Sequence, residues 1–397
     1  MNTKYIYFFR SDLSSHVDIY KSWLDVVQNS IDMSMVTILD YKEQKKQKEL
    51  VIHYRKKGLK IFIVPRYTKQ LFALLYFFYL CTVNDKVVVH LRKQSPKPFD
   101  ILKKLFTNKL KYIIEIEGDF ESEIDYLSQK KNQYKPRFYT NIINGMKKSA
   151  KVLEEQIVKT DGVFVVTKEL KELFIKRYNN AEEKIRVIPT GFDTNKFYPN
   201  DKLRIEYRKR YNLENKFVMI YSGNVMYSWQ NLKQSIRVFK LLKEETYKNL
   251  FFVMLVRKQD YEIAREFIDS LKLEKDEYLL TSVSHDEVNG FLNASDLGIL
   301  LRENHTLNKV ASPGKLGEYL SSGLNVLTTK HIGNYSKKME EEKVGILIDD
   351  IYDETEILIA VNRFEDNRTK KQISKWAADN FSVQAYKKDY INALESV

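Results

Sequence analysis

A single cysteine, Cys81, stands in 397 residues, inside an apolar run and without a partner for a disulfide. A disulfide framework is excluded, and a reducing compartment with a buried, inert thiol is the reading that remains. Thirteen glycines and seven prolines are too few for a collagen-like or low-complexity chain. Long hydrophobic runs are missing too: the longest, LFALLYFFYLCTV at 71–83, falls short of the roughly 20 residues that span a bilayer and reads as a buried helix, with partial membrane insertion as the competing reading. The opening MNTKYIYFFR has no charged segment followed by an apolar one, so the expected location is the cytoplasm.

What is present is an ordinary globular composition, 43% hydrophobic and 30% charged, with a formal net charge of +13. The length suits two domains of about 150–200 residues. The positive charge favours anionic partners, namely nucleotide phosphates, nucleic acid or the inner face of a membrane, and does not choose among them. Locally it concentrates at 41–60, where Lys42, Lys45, Lys46, Lys48, Arg55, Lys56, Lys57 and Lys60 face only Glu43 and Glu49. That pattern predicts one helix with a positive face, either solvated or drawn to anionic lipid at the inner membrane surface. Nucleic acid is not expected as a partner, because no RNP-type aromatic motif, zinc spacing or helix-turn-helix accompanies the charge.

Apolar strand-like runs at 5–9, 33–39, 59–64, 86–91, 112–116 and 163–166 alternate with longer helical segments. A second such series follows at 217–221, 250–256, 278–281, 297–301, 325–328 and 345–348. Alternation of this kind predicts parallel strands joined by crossover helices, and strands without polar alternation predict sheets covered on both faces. The segment KIRVIPTGFDTNKFYP at 184–199 is punctuated by two prolines and a glycine and marks the boundary. The expected organisation is an α/β chain with one doubly wound domain over 1–195 and a second over 196–380. A C-terminal helix over 381–397, with Tyr386, Tyr390 and Leu394 on one face, packs back on the first domain.

The chemistry concentrates in ASDLGILLRENHTLNKVASPGKLGEYLSSGLNVLT at 294–328. Ser312 is placed as an N-cap and Pro313 as the first helical residue. The amides of Gly314, Lys315 and Leu316 would then open an anion site, with Gly314 allowing close approach of a ligand to the backbone. Lys315 adds a positive charge, and Glu318 falls on the same face one turn later. Such a pair suits a diphosphate and a ribose, the ammonium offsetting phosphate charge and the carboxylate accepting from hydroxyls. A capped surface helix with a Lys–Glu pair has the same residues, and local physics alone leaves both readings open.

The run SPGKLGEYLSSGLNVL closely resembles the donor-site signature of the family 4, or group 1, retaining glycosyltransferases of GT-B fold, known from bacterial surface-polysaccharide synthesis. Further segments resemble the same family in the same order: DGVFVVTK at 161–168, the boundary segment at 184–197, IYSGNVMYSWQ at 220–230 and VSHDEVNGFLNASDLGILLR at 283–302. The likeness runs from about residue 112 to the end.

The resemblance implies two Rossmann-like domains facing across a cleft, the second holding a nucleotide sugar, with UDP favoured over GDP and no cofactor or metal. It implies that Glu318 binds the ribose, that Lys315 with Ser312, Pro313, Gly314 and Leu316 grips the phosphates, and that Gly223 and Asn224 turn beneath the diphosphate. The base lies against Val283 and Ser284, although Ser284 and Glu287 also form a capping-box pattern. Lys315 and Arg302 are the candidate catalytic cations, with His90 as a third candidate from the first domain, where a structural histidine is the competing reading. On the acceptor side Glu117, Gly118 and Asp119 are candidates, with a solvated loop as the competing reading. No DxD-type metal motif stands at a suitable position.

Two departures stand out. The glutamate that the family commonly carries eight positions before Glu318 is Val310 here, and in place of the arginine expected soon after the first strand of the second domain and the lysine a few residues later stand Asn224 and Trp229-Gln230. Arg302, or Arg257, is the candidate replacement for that charge. The resulting expectation is a cytoplasmic transferase, peripheral on the inner membrane face, that moves a sugar to a glycan or lipid-linked acceptor. Its rivals are a nucleotide-sugar epimerase of the same architecture and a noncatalytic, membrane-associated partner of a glycosyltransferase.

Overall fold

A computed structural model gives the fold, and it describes residues 2–10, 13, 16–92, 97–131, 136–178, 182–365 and 367–397. The chain divides into two units. The first comprises 1–121, 140–189 and 386–397, and the second 122–139 and 190–385.

The first unit is built on seven parallel strands: β1 (Thr3–Arg10), β2 (Met33–Asp40), β3 (Lys60–Val64), β4 (Lys86–Arg92), β5 (Leu110–Ile116), β6 (Gly162–Val165) and β7 (Ile185–Val187). Their order, β3-β2-β1-β4-β5-β6-β7, is doubly wound, with the reversal between β1 and β4. Most of the β1 and β4 side chains are buried, as strands covered on both faces must be.

The strand series reads directly from the sequence except for β7, which lies inside the segment taken as the boundary. Its pairing with β6 carries the first unit on to Pro189. At the other end of the chain Phe381 ends the preceding helix, and the C-terminal helix runs over Lys387–Glu395, shorter at both ends than the expected 381–397. It buries Tyr390, Ala393 and Leu394 within the first unit, where Tyr390 meets Trp23 with ring centroids 4.7 Å apart.

Two expectations for this unit change. The basic stretch at 41–60 forms two helices, Tyr41–Lys46 and Lys48–Lys56, because the chain breaks at Gln47 and then enters β3. Asp40 starts the first of them with a capping box to Glu43. The apolar helix Lys69–Val83 is not wholly buried: Ala73, Phe77, Leu80 and Cys81 pack inward, while Leu71, Leu75, Phe78, Tyr79 and Val83 are exposed. Among the described residues no helix is long and apolar enough to cross a membrane.

The second unit holds six parallel strands: β8 (Phe217–Ser222), β9 (Leu250–Leu255), β10 (Tyr278–Thr281), β11 (Leu297–Leu300), β12 (Asn325–Thr329) and β13 (Ile346–Ile348). Their order is β10-β9-β8-β11-β12-β13, again reversing once, between β8 and β11. Alternate residues feed two cores. Ile220, Val253, Leu300 and Val326 belong to one, and Met219, Phe252, Ile299 and Leu327 to the other. Gly323, at φ 72°, turns the chain from the helix Gly314–Ser321 towards β12; a Cβ there would lie 2.4 Å from the Lys370 carbonyl oxygen, so both backbone and packing require glycine.

Candidate functional site

In an open parallel sheet the carboxyl ends of the strands at the reversal leave a crevice in which ligands bind. In the second unit that reversal lies between β8 and β11. Gly223 and Asn224 follow β8 directly, Arg302 stands two residues beyond β11, and the helix Gly314–Ser321 follows after the short helix Thr306–Lys309. Tyr319 fastens that helix to the sheet, its hydroxyl accepting from the Ser222 amide at 2.6 Å. The residues predicted to hold a donor are therefore gathered at one end of one sheet by its topology.

The helix start differs in detail from the sequence expectation. Pro313, with φ −72° and ψ 113°, occupies the cap position, the helix begins at Gly314, and Ser312 makes no capping bond. The cause is local: the extended proline already directs its carbonyl oxygen to the Leu316 amide at 3.1 Å, which leaves the hydroxyl of Ser312 without a role at the first turn. The Ser312 Oγ is instead buried without a hydrogen-bond partner. The Leu316 amide is thus engaged, and the amides ahead of the first turn are those of Gly314 and Lys315. A Cβ built at Gly314 would meet nothing within 4 Å, so the space in front of this backbone is open.

Glu318 is the electrostatic centre of the site. Its Oε2 lies 3.3 Å from Lys315 Nζ and its Oε1 3.5 Å from His285 Nε2. Burial by itself would raise the pKa of this carboxyl. The Lys315 ammonium and the His285 hydrogen bond outweigh it and hold the group at about 2. The group is a fixed anion at neutral pH, and Lys315, about one-third exposed, keeps a share of its charge for a ligand.

His285 is the residue that sequence reasoning missed. It follows Val283 and Ser284 after β10, packs edge-on against Phe197 at 5.3 Å, and has a buried Nδ1 without a hydrogen-bond partner. Its signal was one histidine inside the quoted run VSHDEVNG, with nothing local to indicate a carboxylate partner 33 positions away. Val283 is half-buried beside it. The Ser284 side chain is taken up by the capping box with Glu287, Oγ to Oε2 at 2.7 Å, which leaves only its surroundings to offer a ligand.

Arg302 is buried, and its guanidinium is held by the loop after β8: Nη1 donates to the Trp229 carbonyl at 2.9 Å and Nη2 to Gln230 Oε1 at 3.0 Å. Burial lowers its pKa from the usual arginine value. Arg257, the other candidate, is more than half exposed and paired with Asp260. Asn224 closes a turn by accepting from the Met226 amide at 2.8 Å, and its carbonyl accepts from the Tyr221 hydroxyl at 2.9 Å. The Tyr221 hydroxyl also stands 3.1 Å from where a Gly223 Cβ would be. Val310, which stands where the family commonly has a glutamate, is buried at 2% exposure.

The segment 122–139 completes the unit from far away in sequence. Asp125 pairs with His305 at 3.0 Å, Lys130 with Glu303 at 3.0 Å, and Tyr126 meets the rings of His305 and Trp229. These contacts brace the loop that follows Arg302.

In the first unit His90 lies inside β4, buried, with Nδ1 2.8 Å from the Tyr390 hydroxyl and Nε2 3.4 Å from Glu115 Oε2. Glu117 forms a two-point contact with Arg92 at 3.1 and 2.9 Å and accepts from the Tyr20 hydroxyl at 3.0 Å. Asp119 is buried against Arg177, at 2.7 and 3.2 Å. The acidic segment is therefore no freely solvated loop. Gly118, partly exposed, links these two anchored carboxylates.

Residues 204–380, all within the second unit, match the model of the family described as glycosyl transferases group 1. Solved structures similar over the whole length are GT-B transferases. The Anabaena protein HepE, in a complex with UDP and glucose, matches at 12% identity and TM-score 0.64, with 100% of both chains covered. A glycosyltransferase from Rickettsia africae matches at 15% identity and TM-score 0.66, covering 99% of this chain and 98% of the other. WaaG, a glycosyltransferase of lipopolysaccharide biosynthesis, matches at 14% identity and TM-score 0.58, with 98% of each covered. At these identities the likeness is one of fold: the chain has a GT-B architecture, and part of its second unit matches the group 1 model. No curated protein matches the sequence.

Proposed function

We propose that this chain is a retaining, metal-independent glycosyltransferase that takes a sugar from a nucleotide donor, UDP-sugar in preference to GDP-sugar, and transfers it to a glycan or lipid-linked acceptor in surface-polysaccharide or glycoconjugate synthesis. The observation that carries the reading is the helix start at Gly314, where two leading amides, the Lys315 ammonium and the Glu318 carboxylate stand together at the reversal of the second sheet. In this reading the amides and Lys315 take the diphosphate, Glu318 takes the ribose hydroxyls, and the base lies along Val283 and Ser284. Arg302 orients the loop beneath the leaving group.

As the anomeric bond to the diphosphate breaks, negative charge grows on the phosphate oxygen, and fixed donors in a partly dry site stabilise it. The departing phosphate takes the proton of the acceptor hydroxyl, which attacks on the same face, so the configuration is kept. The preference for UDP draws support from HepE, whose structure was solved with UDP and glucose. The setting we propose is the cytoplasmic face of a membrane, with the cations at 42–60 directed to anionic lipid.

The test is a screen of nucleotide sugars for thermal stabilisation. A ligand at about 100 times its dissociation constant adds roughly 2.7 kcal/mol to the folded state. Stabilisation by a UDP-sugar that is lost in both Lys315→Ala and Glu318→Ala supports the assignment. Undiminished stabilisation in both would place the donor elsewhere, and conversion of the sugar without any acceptor would identify an epimerase instead.

A further inference from the structure

Most of the large apolar side chains that are exposed among the described residues fall between residues 41 and 105 of the first unit. They are not scattered. Leu71, Leu75, Phe78 and Tyr79 share one face of the helix Lys69–Val83, at helical spacings of four, three and one. Ile101 and Leu105 lie four apart on the neighbouring helix Lys97–Leu105, each more than half exposed. The two helices pack side by side, and Phe78 meets Phe106 edge-on at 5.3 Å. Soluble monomers rarely leave a contiguous apolar face of this kind to water.

Positive charge dominates this stretch of sequence, although Asp100 is exposed on the second helix and Lys69 and Lys103 pair with Glu43 and Asp161. Between residues 60 and 111 the only carboxylates are Asp85 and Asp100, against eleven lysines and arginines. Arg66 and the strongly exposed Tyr67 precede the first helix, while the exposed Lys104 lies at the end of the second. A self-pairing surface would set these cations against their own copies, and a nucleic-acid surface would not centre on leucines. An apolar stripe framed by lysine, arginine and tyrosine matches the boundary layer of an anionic bilayer, where acyl chains meet headgroup phosphates.

We propose that the outer faces of the helices Lys69–Val83 and Lys97–Leu105 form a monotopic docking surface that inserts Leu71, Leu75, Phe78, Tyr79, Ile101 and Leu105 into the headgroup–acyl boundary of an anionic membrane. The helices lie in the plane of the membrane and do not cross it. This surface is separate from the cations at 42–60 and adds an apolar component that charge alone does not supply.

The experiment uses the full chain and vesicles of phosphatidylcholine with or without phosphatidylglycerol. Because it needs no nucleotide, its outcome is independent of the donor assignment. Co-sedimentation with the anionic vesicles is expected, with a part that persists in high salt. The triple substitution Leu71→Gln, Leu75→Gln, Tyr79→Gln, all at exposed positions, should weaken binding on the order of a hundredfold through lost apolar burial, with unchanged melting. The pair Ile205→Gln, Tyr352→Gln, exposed in the second unit, should bind as the unaltered chain does. A Leu75→Trp chain should have its added fluorescence quenched by brominated acyl chains. Equal binding by the triple variant, failure of the unaltered chain to bind anionic vesicles, or a dimer that the triple variant dissociates would each overturn the proposal.

Discussion

Replacing Glu318 by glutamine keeps the shape of the side chain and removes its charge. In the folded protein the carboxyl is held at about 2, against an ordinary 4.5, by Lys315 and His285. A depressed folded-state pKa contributes stability that is fully present above the unfolded value and is lost as pH falls through the folded one. At about 1.4 kcal/mol per unit, the contribution at neutral pH is on the order of 3 kcal/mol, lost progressively from about pH 5 towards pH 2. Denaturant unfolding of both proteins across that range should show a difference that is widest at neutral pH and narrows in acid. Lys315 is exposed enough to rehydrate when its partner goes, so the difference reflects the carboxylate. Parallel loss of stability in both proteins would refute this account of the site. Nucleotide binding gives a second reading: each charge-assisted bond to a ribose hydroxyl contributes about 1.5–3 kcal/mol, so Glu318→Gln should weaken binding about tenfold or more at pH 7.

Gly314→Ala should leave the melting temperature unchanged or raise it slightly, since a Cβ meets nothing there and alanine restricts the unfolded chain; calorimetric titration should nevertheless show weaker diphosphate binding, because the methyl occupies the open space. Arg302→Lys should lower the transfer rate about tenfold with a smaller change in donor KM, because one ammonium cannot reproduce the fork to Trp229 and Gln230; steady-state kinetics checks this. His285→Gln should raise the donor KM several-fold and leave kcat nearly unchanged, and the effect should vanish in a Glu318→Gln background, since the two act through one carboxylate.

The double series of parallel strands was legible because buried strands read as continuous β-branched and apolar runs, and the helix start at 313–318 because proline, glycine, lysine and glutamate each have a positional reason to be there. What was not legible depends on distant partners or on surfaces. β7 has three residues, from Ile185 to Val187, with Pro189 two residues on, and is too short for a periodic signal. The bracing of the Arg302 loop joins Lys130 to Glu303 and Asp125 to His305, across more than 170 residues. Glu117 and Asp119 looked like a solvated or acceptor-facing cluster because their partners Arg92 and Arg177 come from other elements. The helix Lys69–Val83 is apolar on every side, so its sequence could not say which face meets water; the sheet beneath it decides.

The central claim is that a nucleotide diphosphate sits at the Gly314 helix start with its ribose on Glu318. A crystal structure of the chain with UDP tests it most directly. The account predicts phosphate oxygens within hydrogen-bonding distance of the Gly314 and Lys315 amides and of Lys315 Nζ, with a ribose hydroxyl on a Glu318 oxygen. UDP bound anywhere else, with that helix start left to solvent, would contradict it.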